Sequence, residues 1–340
     1  MKELDWLCHF QKMIAISGQL EERCVYRAPW SMTGGRSSAL EIPYHIVLNG
    51  RATIEDIDTG EKATLTEGDV VLLLHGTTHA LHDGSGYRPH RSCQYQSLSG
   101  WMLSENDGHG ERLEMLCGRL FIDAPHDRLL RVYFPRTLIV KSSCTLTESL
   151  TNTGAGRLAS LIALMHGESS ADKSGGHAVF KALSAALFTL VIRTASESGI
   201  VLTGLLAVTG SRRFEPAISA MFSNPARDWN LPDLSKLCNM SRTTFMRRFQ
   251  GKLGCSAFEL LTDIRLGLAA NALSKTSIAT ESIAASVGYR SVSAFRRVFC
   301  KKLGMTPRQW RRMSKDSGAL NTPRDPQDLD LSAWKDLRMV

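Results

Sequence analysis

No two of the eight cysteines in this chain are spaced CxxC. Cys8, Cys24, Cys93, Cys117, Cys144, Cys238, Cys255 and Cys300 are scattered singly. That scatter excludes a zinc-finger pattern and offers no disulfide framework. Hydrophobic runs of membrane length are missing too. The longest apolar stretch, FTLVI near position 190, falls far short of the about 20 residues a bilayer span needs. The opening MKELDWLCHFQKMIAISGQL mixes charged, apolar and polar residues as an amphipathic helix does. It lacks a signal peptide's continuous apolar core and small-residue cleavage site. These absences predict a cytoplasmic chain that does not engage a membrane.

What is present is unevenly distributed. The 340 residues suggest about two domains, and 43% hydrophobic content suffices for real cores. Formal net charge is +8, yet residues 212–315 hold 19 Lys/Arg against 6 Asp/Glu, a net +13. The remainder carries 22 against 27, a net −5. A neutral-to-acidic front and a basic back predict one module that meets a polyanion and one that does not.

Residues 40–81 read as short strands punctuated at Asn49-Gly50, Asp58-Thr59-Gly60 and Glu67-Gly68-Asp69. Closely spaced strands with tight turns predict a small barrel or sandwich. Residues 82–112, rich in Gly, Ser and His, read as a long loop, and LCGRLFID resumes a strand. Helical spacing returns at 156–168 and 177–198, a helical hairpin suited to packing on the barrel or pairing two subunits. Residues 199–212 read as a linker. Residues 316–340 read as a polar, mobile tail with at most one short helix.

The basic half repeats itself at an interval of fifty residues. LSKLCNMSRTTFMRRFQGKLGCSAFELL, from Leu234, matches AASVGYRSVSAFRRVFCKKLGMTPRQWR, from Ala284, without a gap. Each copy reads helix–turn–helix, with Ser241 or Ser291 placed to cap the second helix. Phe245/Phe249 and Phe295/Phe299 form buried i, i+4 pairs. The opposite faces carry Thr243, Met246, Arg247 and Gln250 in one copy and Ser293, Arg296, Arg297 and Lys301 in the other, with Arg242 and Lys302 beside them. A short helix anchored by two rings, with polar and cationic groups outward, fits a helix that enters the major groove of double-stranded DNA. The helix between the copies, 257–273, spans about 25 Å, long enough to serve successive grooves about 34 Å apart. One copy alone would read equally well as a solvated cationic face; two copies in phase within a +13 segment favour DNA.

On these residues the C-terminal hundred positions resemble the DNA-binding domain of the AraC/XylS family of bacterial transcription regulators. The matching stretches are NMSRTTFMRRFQGKLG, then Arg265, Ala269 and Leu273, then IAASVGYRSVSAFRRVFCKKLGMTPRQWRR. Ala257 stands where the second copy has Pro307, a position where the family often has proline in both. In the front half, GDVVLLLHGTTH resembles the second cupin motif with Leu74 in place of its proline. YHIVLNGRATIE keeps only His45 of the first motif's histidine pair and offers no clear glutamate. The resemblance implies an α+β chain: a cupin-like β-barrel with a helical segment, then an all-α double helix-turn-helix domain. The missing cupin ligands argue against an enzyme and against a required cofactor. His45, His75, His79 and His82 remain candidates for a metal or small ligand, His45 and His79 foremost, although a strand histidine is more often simply packed.

The expected division is a sensor domain at 1–150, a helical segment for dimerisation at 151–198, a linker at 199–212, an AraC-type reader at 213–315 and a tail at 316–340. GQLEERCVYRAPW, LCGRLFID and ALFTLVIRT further resemble the cupin-bearing, reactive-chlorine-sensing subgroup of that family. The resemblance implies that Cys24 and Cys117 are a redox pair; two buried, inert thiols would read the same in sequence. The implied function is a DNA-binding transcriptional regulator, an activator responding to a redox, electrophile or small-molecule signal. RNA polymerase and a second copy of the chain are its implied partners. The alternative is a cupin enzyme or ligand-binding protein tethered to nucleic acid by its basic half.

Overall fold

The computed structural model describes residues 6–97, 101–142, 153–171, 174–199, 204–211 and 213–320. Cys144, the expected tail beyond 320 and parts of the expected linker lie outside them. The described chain forms two compact units. One holds residues up to 225 together with 229–263; the other holds 226–228 and the chain from 264 onward.

The first unit opens with helix α1 (Trp6–Met13), followed by strands β1 (Ile16–Arg27), β2 (Ser31–Gly34), β3 (Glu41–Asn49), β4 (Arg51–Asp56), β5 (Lys62–Thr66), β6 (Asp69–Leu73), β7 (His79–His82), β8 (Ser92–Gln96), β9 (Met102–Asn106) and β10 (Arg112–Ile122). Helix α2 (His126–Tyr133) and strand β11 (Thr137–Lys141) complete the sheets. One sheet runs β11-β6-β3-β10-β1-β9-β8, and a smaller one β2-β7-β4-β5. Their shared core takes Cys24, Val47, Val71 and Cys117 from the larger sheet and Ile54, Leu65 and Leu81 from the smaller, the cupin-like arrangement expected. Asn49-Gly50 does not close a hairpin. Gly50, at φ +86°, carries the chain from one sheet to the other.

Three expectations need correction. The N-terminal helix stops at Met13, and β1, which precedes the 40–81 stretch read as strands, is an inner strand of the large sheet, so Cys24 lies in the barrel wall. A bulge between Leu20 and Glu22 interrupts the β1–β10 ladder, and the run Glu21-Glu22-Arg23 hides the strand's alternation. The long loop 82–112 contains β8 and β9, which extend the sheet beside β1. Every residue of β8 is exposed, so no hydrophobic period announces it. The segment read as a linker contains helix α5 (Gly204–Thr209), whose Leu205 to Thr209 are buried.

Helices α3 (Gly154–Ser170) and α4 (Gly176–Ser198) pack on each other, and α4 packs on β1. By length and composition α4 is apolar enough to cross a membrane. Here Phe180, Leu187, Phe188, Val191 and Ile192 are buried within the protein. Helices α6 (Glu215–Ser223), α7 (Leu231–Leu237), α8 (Arg242–Leu253) and the start of α9 (Ala257–Lys275) belong to the same unit. Phe222 meets Trp6 and Phe10 of α1. Tyr133 of α2 donates a 2.6 Å hydrogen bond to buried Asp263 of α9.

The second unit contains the rest of α9 with α10 (Thr280–Ser286), α11 (Val292–Leu303) and α12 (Pro307–Leu320). Helix α12 continues past residue 315, where the reader was expected to end.

Candidate functional site

The two helix-turn-helix copies are built by the same local chemistry. Ser241 Oγ accepts the amide of Thr244 at 3.2 Å, and Ser291 Oγ that of Ala294 at 3.3 Å. Each hydroxyl satisfies one of the orphan amides at its helix start. Gly254 and Gly304 close α8 and α11 in the left-handed conformation. The following helices start with matching capping boxes, Ser256/Glu259 and Thr306/Gln309. Ala257 therefore replaces proline at a start already secured by its neighbours. Phe245 and Phe249 are buried with Phe214; Phe295 and Phe299 are buried with Trp310 and meet the half-buried Tyr289.

Against this common frame the copies differ at two places. The turn uses Asn239 at φ +50° in the first and Gly288 at φ +91° in the second. At Gly288 a Cβ would also lie 2.6 Å from the Ala226 carbonyl oxygen, so that position needs glycine twice over.

The outward faces differ as well. Arg242, Thr243, Met246, Arg247 and Gln250 of α8 are exposed, as are Ser293, Arg296, Arg297 and Lys301 of α11. Lys302 is half-buried: at 100° per residue it falls on the side of the rings, not opposite them. Arg296 donates to Glu281 of α10 at 2.7 Å, a partner the sequence reading did not identify. Cys300 is exposed on α11 at the position of Gln250 and was likewise overlooked.

A second site lies in the barrel. Cys24 and Cys117 point their sulfurs at each other at 3.6 Å, both buried, from adjacent strands. Cys117 Sγ lies 3.2 Å from His45 Nδ1; His45 Nε2 lies 2.9 Å from His79 Nε2; His79 Nδ1 lies 3.1 Å from the Thr77 carbonyl oxygen. The carbonyl can only accept, so His79 carries its proton on Nδ1 and presents a bare Nε2. His45 then donates from Nε2 and presents a bare Nδ1 to the Cys117 thiol. Burial pushes both imidazole pKa values down, most strongly at His45, where His79 adds to the effect. The contact with Cys24, then burial, holds the Cys117 thiol well above its ordinary range. At rest these shifts favour the neutral forms of Cys117, His45 and His79.

Glu22 adds a carboxylate whose pKa is raised by burial. Its oxygen and the two sulfurs lie within 4.8 Å of one another. Gly34 of β2 covers the far side: a Cβ there would fall 2.2 Å from the His79 ring. His75 and His82 do not join. His75 reaches the Phe134 carbonyl, and His82 accepts from the Gly84 amide. The sequence named His45, His79, Cys24 and Cys117 as candidates; Thr77, within GDVVLLLHGTTH, and Glu22, within GQLEERCVYRAPW, were not singled out.

Known proteins resemble this chain in sequence along most of its length. A family model described as Cupin matches residues 5–197, and one described as a helix-turn-helix domain matches residues 234–313. An uncharacterized HTH-type transcriptional regulator of Haemophilus influenzae is 27% identical over 91% of this chain and 99% of its own length. The Escherichia coli protein named RCS-specific HTH-type transcriptional activator RclR is 26% identical over 91% and 97%. The HTH-type transcriptional regulator MtrA of Neisseria gonorrhoeae is 26% identical over 91% and 98%. A cupin-like domain joined to a duplicated helix-turn-helix, matched end to end by such regulators, places the chain in the cupin-bearing AraC family of DNA-binding transcriptional regulators and not among the cupin enzymes.

Proposed function

We propose that this regulator is a cytoplasmic activator that responds to an oxidant by joining Cys24 to Cys117. The supporting observation is the pair of buried sulfurs 3.6 Å apart in the barrel wall; the name of the Escherichia coli relative points the same way. With hypochlorous acid, one sulfur attacks chlorine, the O–Cl bond breaks, and hydroxide leaves with the thiol proton as water. The second sulfur then displaces chloride, and its proton leaves with it. Two thiols lose two electrons, and the oxidant becomes chloride and water. The S–S bond is about 2.05 Å long, so the sulfurs must approach by about 1.5 Å. β1, which carries Cys24, lies under α4, giving the movement a helix to act on.

In this reading the reader binds double-stranded DNA through Arg242, Thr243, Met246, Arg247 and Gln250 of α8 and Ser293, Arg297 and Lys301 of α11. The α3–α4 hairpin pairs two copies, and RNA polymerase is the downstream partner. The test is thiol mapping by mass spectrometry before and after a hypochlorite pulse, beside reporter induction in Cys24→Ser and Cys117→Ser strains. A Cys24–Cys117 bond and loss of induction in both variants are expected. Full induction in both, with no such bond, sinks the reading.

A second reading has one observation in its favour. A Glu22 carboxylate oxygen and the sulfurs of Cys24 and Cys117 lie within 4.8 Å of one another, a carboxylate-and-thiolate set that zinc accepts. Such an ion would hold both sulfurs as thiolates. Elemental analysis of protein purified without chelator decides: about one metal per chain, lost in Cys117→Ser, supports it, and metal-free protein that still induces removes it.

A further inference from the structure

The outward face of α8 contains one side chain whose chemistry its neighbours do not share. Met246 is 51% exposed, yet its helical neighbours Arg242, Thr243 and Gln250 are polar and exposed. At 100° per residue it lies about 60° from its i+3 neighbour, the buried Phe249, so it stands at the edge of the outward face, where the side chain remains half exposed. Fifty residues on, the same position is Arg296, which is turned back to Glu281 of its own copy at 2.7 Å. In the helix before the turn the copies match at an interval of 49, with buried Leu234, Ser235 and Cys238 answering Ile283, Ala284 and Val287, so Glu281 corresponds to Pro232, which offers no carboxylate. One position of the repeat is therefore a free thioether in one copy and a tethered guanidinium in the other.

Resting on the reading of α8 as a DNA-reading helix, we propose that Met246 packs against the 5-methyl group of a thymine, and that Arg296 acts as a brace instead of a base reader. Among the four base-pair edges in the major groove, the thymine methyl is the apolar group. A thioether has little to offer the donor and acceptor patterns of guanine, adenine or cytosine, but it is polarizable and flexible enough to cover a methyl. Gln250 and Arg247 beside it supply the amide and guanidinium that read adenine and guanine. The half-site under α8 is then defined partly by a methyl group. The half-site under α11, read by Ser293 and Arg297, is not.

The full chain would select its preferred duplex from random sequences, and the half-site under α8 would be identified as the one whose preference changes in Arg247→Ala. Each thymine of that half-site is then replaced singly by uracil, which removes only the methyl. One position should lose three- to fivefold in affinity, the equivalent of one buried methyl at about 0.8 kcal/mol and about 1.4 kcal/mol per tenfold. In Met246→Ala that penalty should vanish, and in Met246→Gln the preference there should move toward adenine. Arg296→Ala should leave base preference as it was. Indifference of the wild type to every uracil, or an undiminished penalty in Met246→Ala, overturns the methyl contact. A changed base preference in Arg296→Ala overturns the brace. If no duplex is preferred at all, the reading of α8 itself fails.

Discussion

The sensor and the reader handle polar chemistry in opposite ways. All ten histidines lie within the first 177 residues, and none occurs in the reader. The cupin-like domain buries Cys24, Cys117, His45 and His79 as a chain in which each contact orients the next. The described part of the reader buries mostly aromatic and aliphatic anchors, with Ser235 and Asp263 as buried polar residues, and leaves most of its cations exposed. A buried polar chain is costly unless every member has a partner, which makes the sensor sensitive to one altered bond. An exposed cationic face tolerates change locally and loses affinity in small steps.

The largest effect expected is in the anchors. Phe299→Ala should cost about 3–5 kcal/mol. Because Phe299 belongs to the second compact unit, calorimetry should show that unit melting separately and earlier. Phe249→Ala carries a similar cost inside the first unit and should lower the transition of the sensor with it. One unchanged cooperative transition in both variants would erase the distinction between the units.

Next comes the reading face. Arg297→Ala should cost about 1–3 kcal/mol on the preferred site and relax one or two base positions. Lys301→Ala should weaken all sequences alike and reduce the salt slope by about one. Identical behaviour of the two on preferred and random duplexes would dissolve the division between base and phosphate contacts.

The smallest effect belongs to the sensor. His45 and His79 have depressed pKa values in the fold, so below the unfolded value of about 6.5 the unfolded chain binds more protons than the folded one. Stability is full above that pH and falls as pH drops through it, by at most about 1.4 kcal/mol per pH unit per histidine. Urea unfolding of the first unit from pH 7.5 to 5.5 should show this slope, reduced in His45→Gln. The second unit contains no histidine and should show none of it. An equal slope in both units would remove the imidazoles as its cause.

The reader was legible in the sequence because its determinants are local. Ser241 and Ser291 cap three residues on, the phenylalanine pairs sit four apart, and the fifty-residue shift duplicates each signal. The Arg296–Glu281 pair spans two helices and interrupts no period, so only the structure reveals it. In the sensor, Cys24 meets a partner 93 residues away and His45 one 34 residues away. The family resemblance implied the cysteine pair and the cupin motifs marked His45 and His79, but nothing in the chain joined them. Strand β1 was lost to its bulge and mid-strand charges, and β8 to its complete exposure.

The contact between Tyr133 and Asp263 bears on how such regulators are recombined. A chimera joined within residues 199–212 would seat another sensor on this reader at the point the sequence suggests. That joint would part α5 from α8, leave Phe222 without Trp6 and Phe10, and abandon the Asp263 carboxylate in a site shaped for a phenol. A cut inside α9 would be no cleaner, because residues 226–228 belong with the second unit: Arg265 donates to the Arg227 carbonyl and Arg290 pairs with Asp228. Neither body can be exchanged as one continuous stretch of chain without parting contacts of the other.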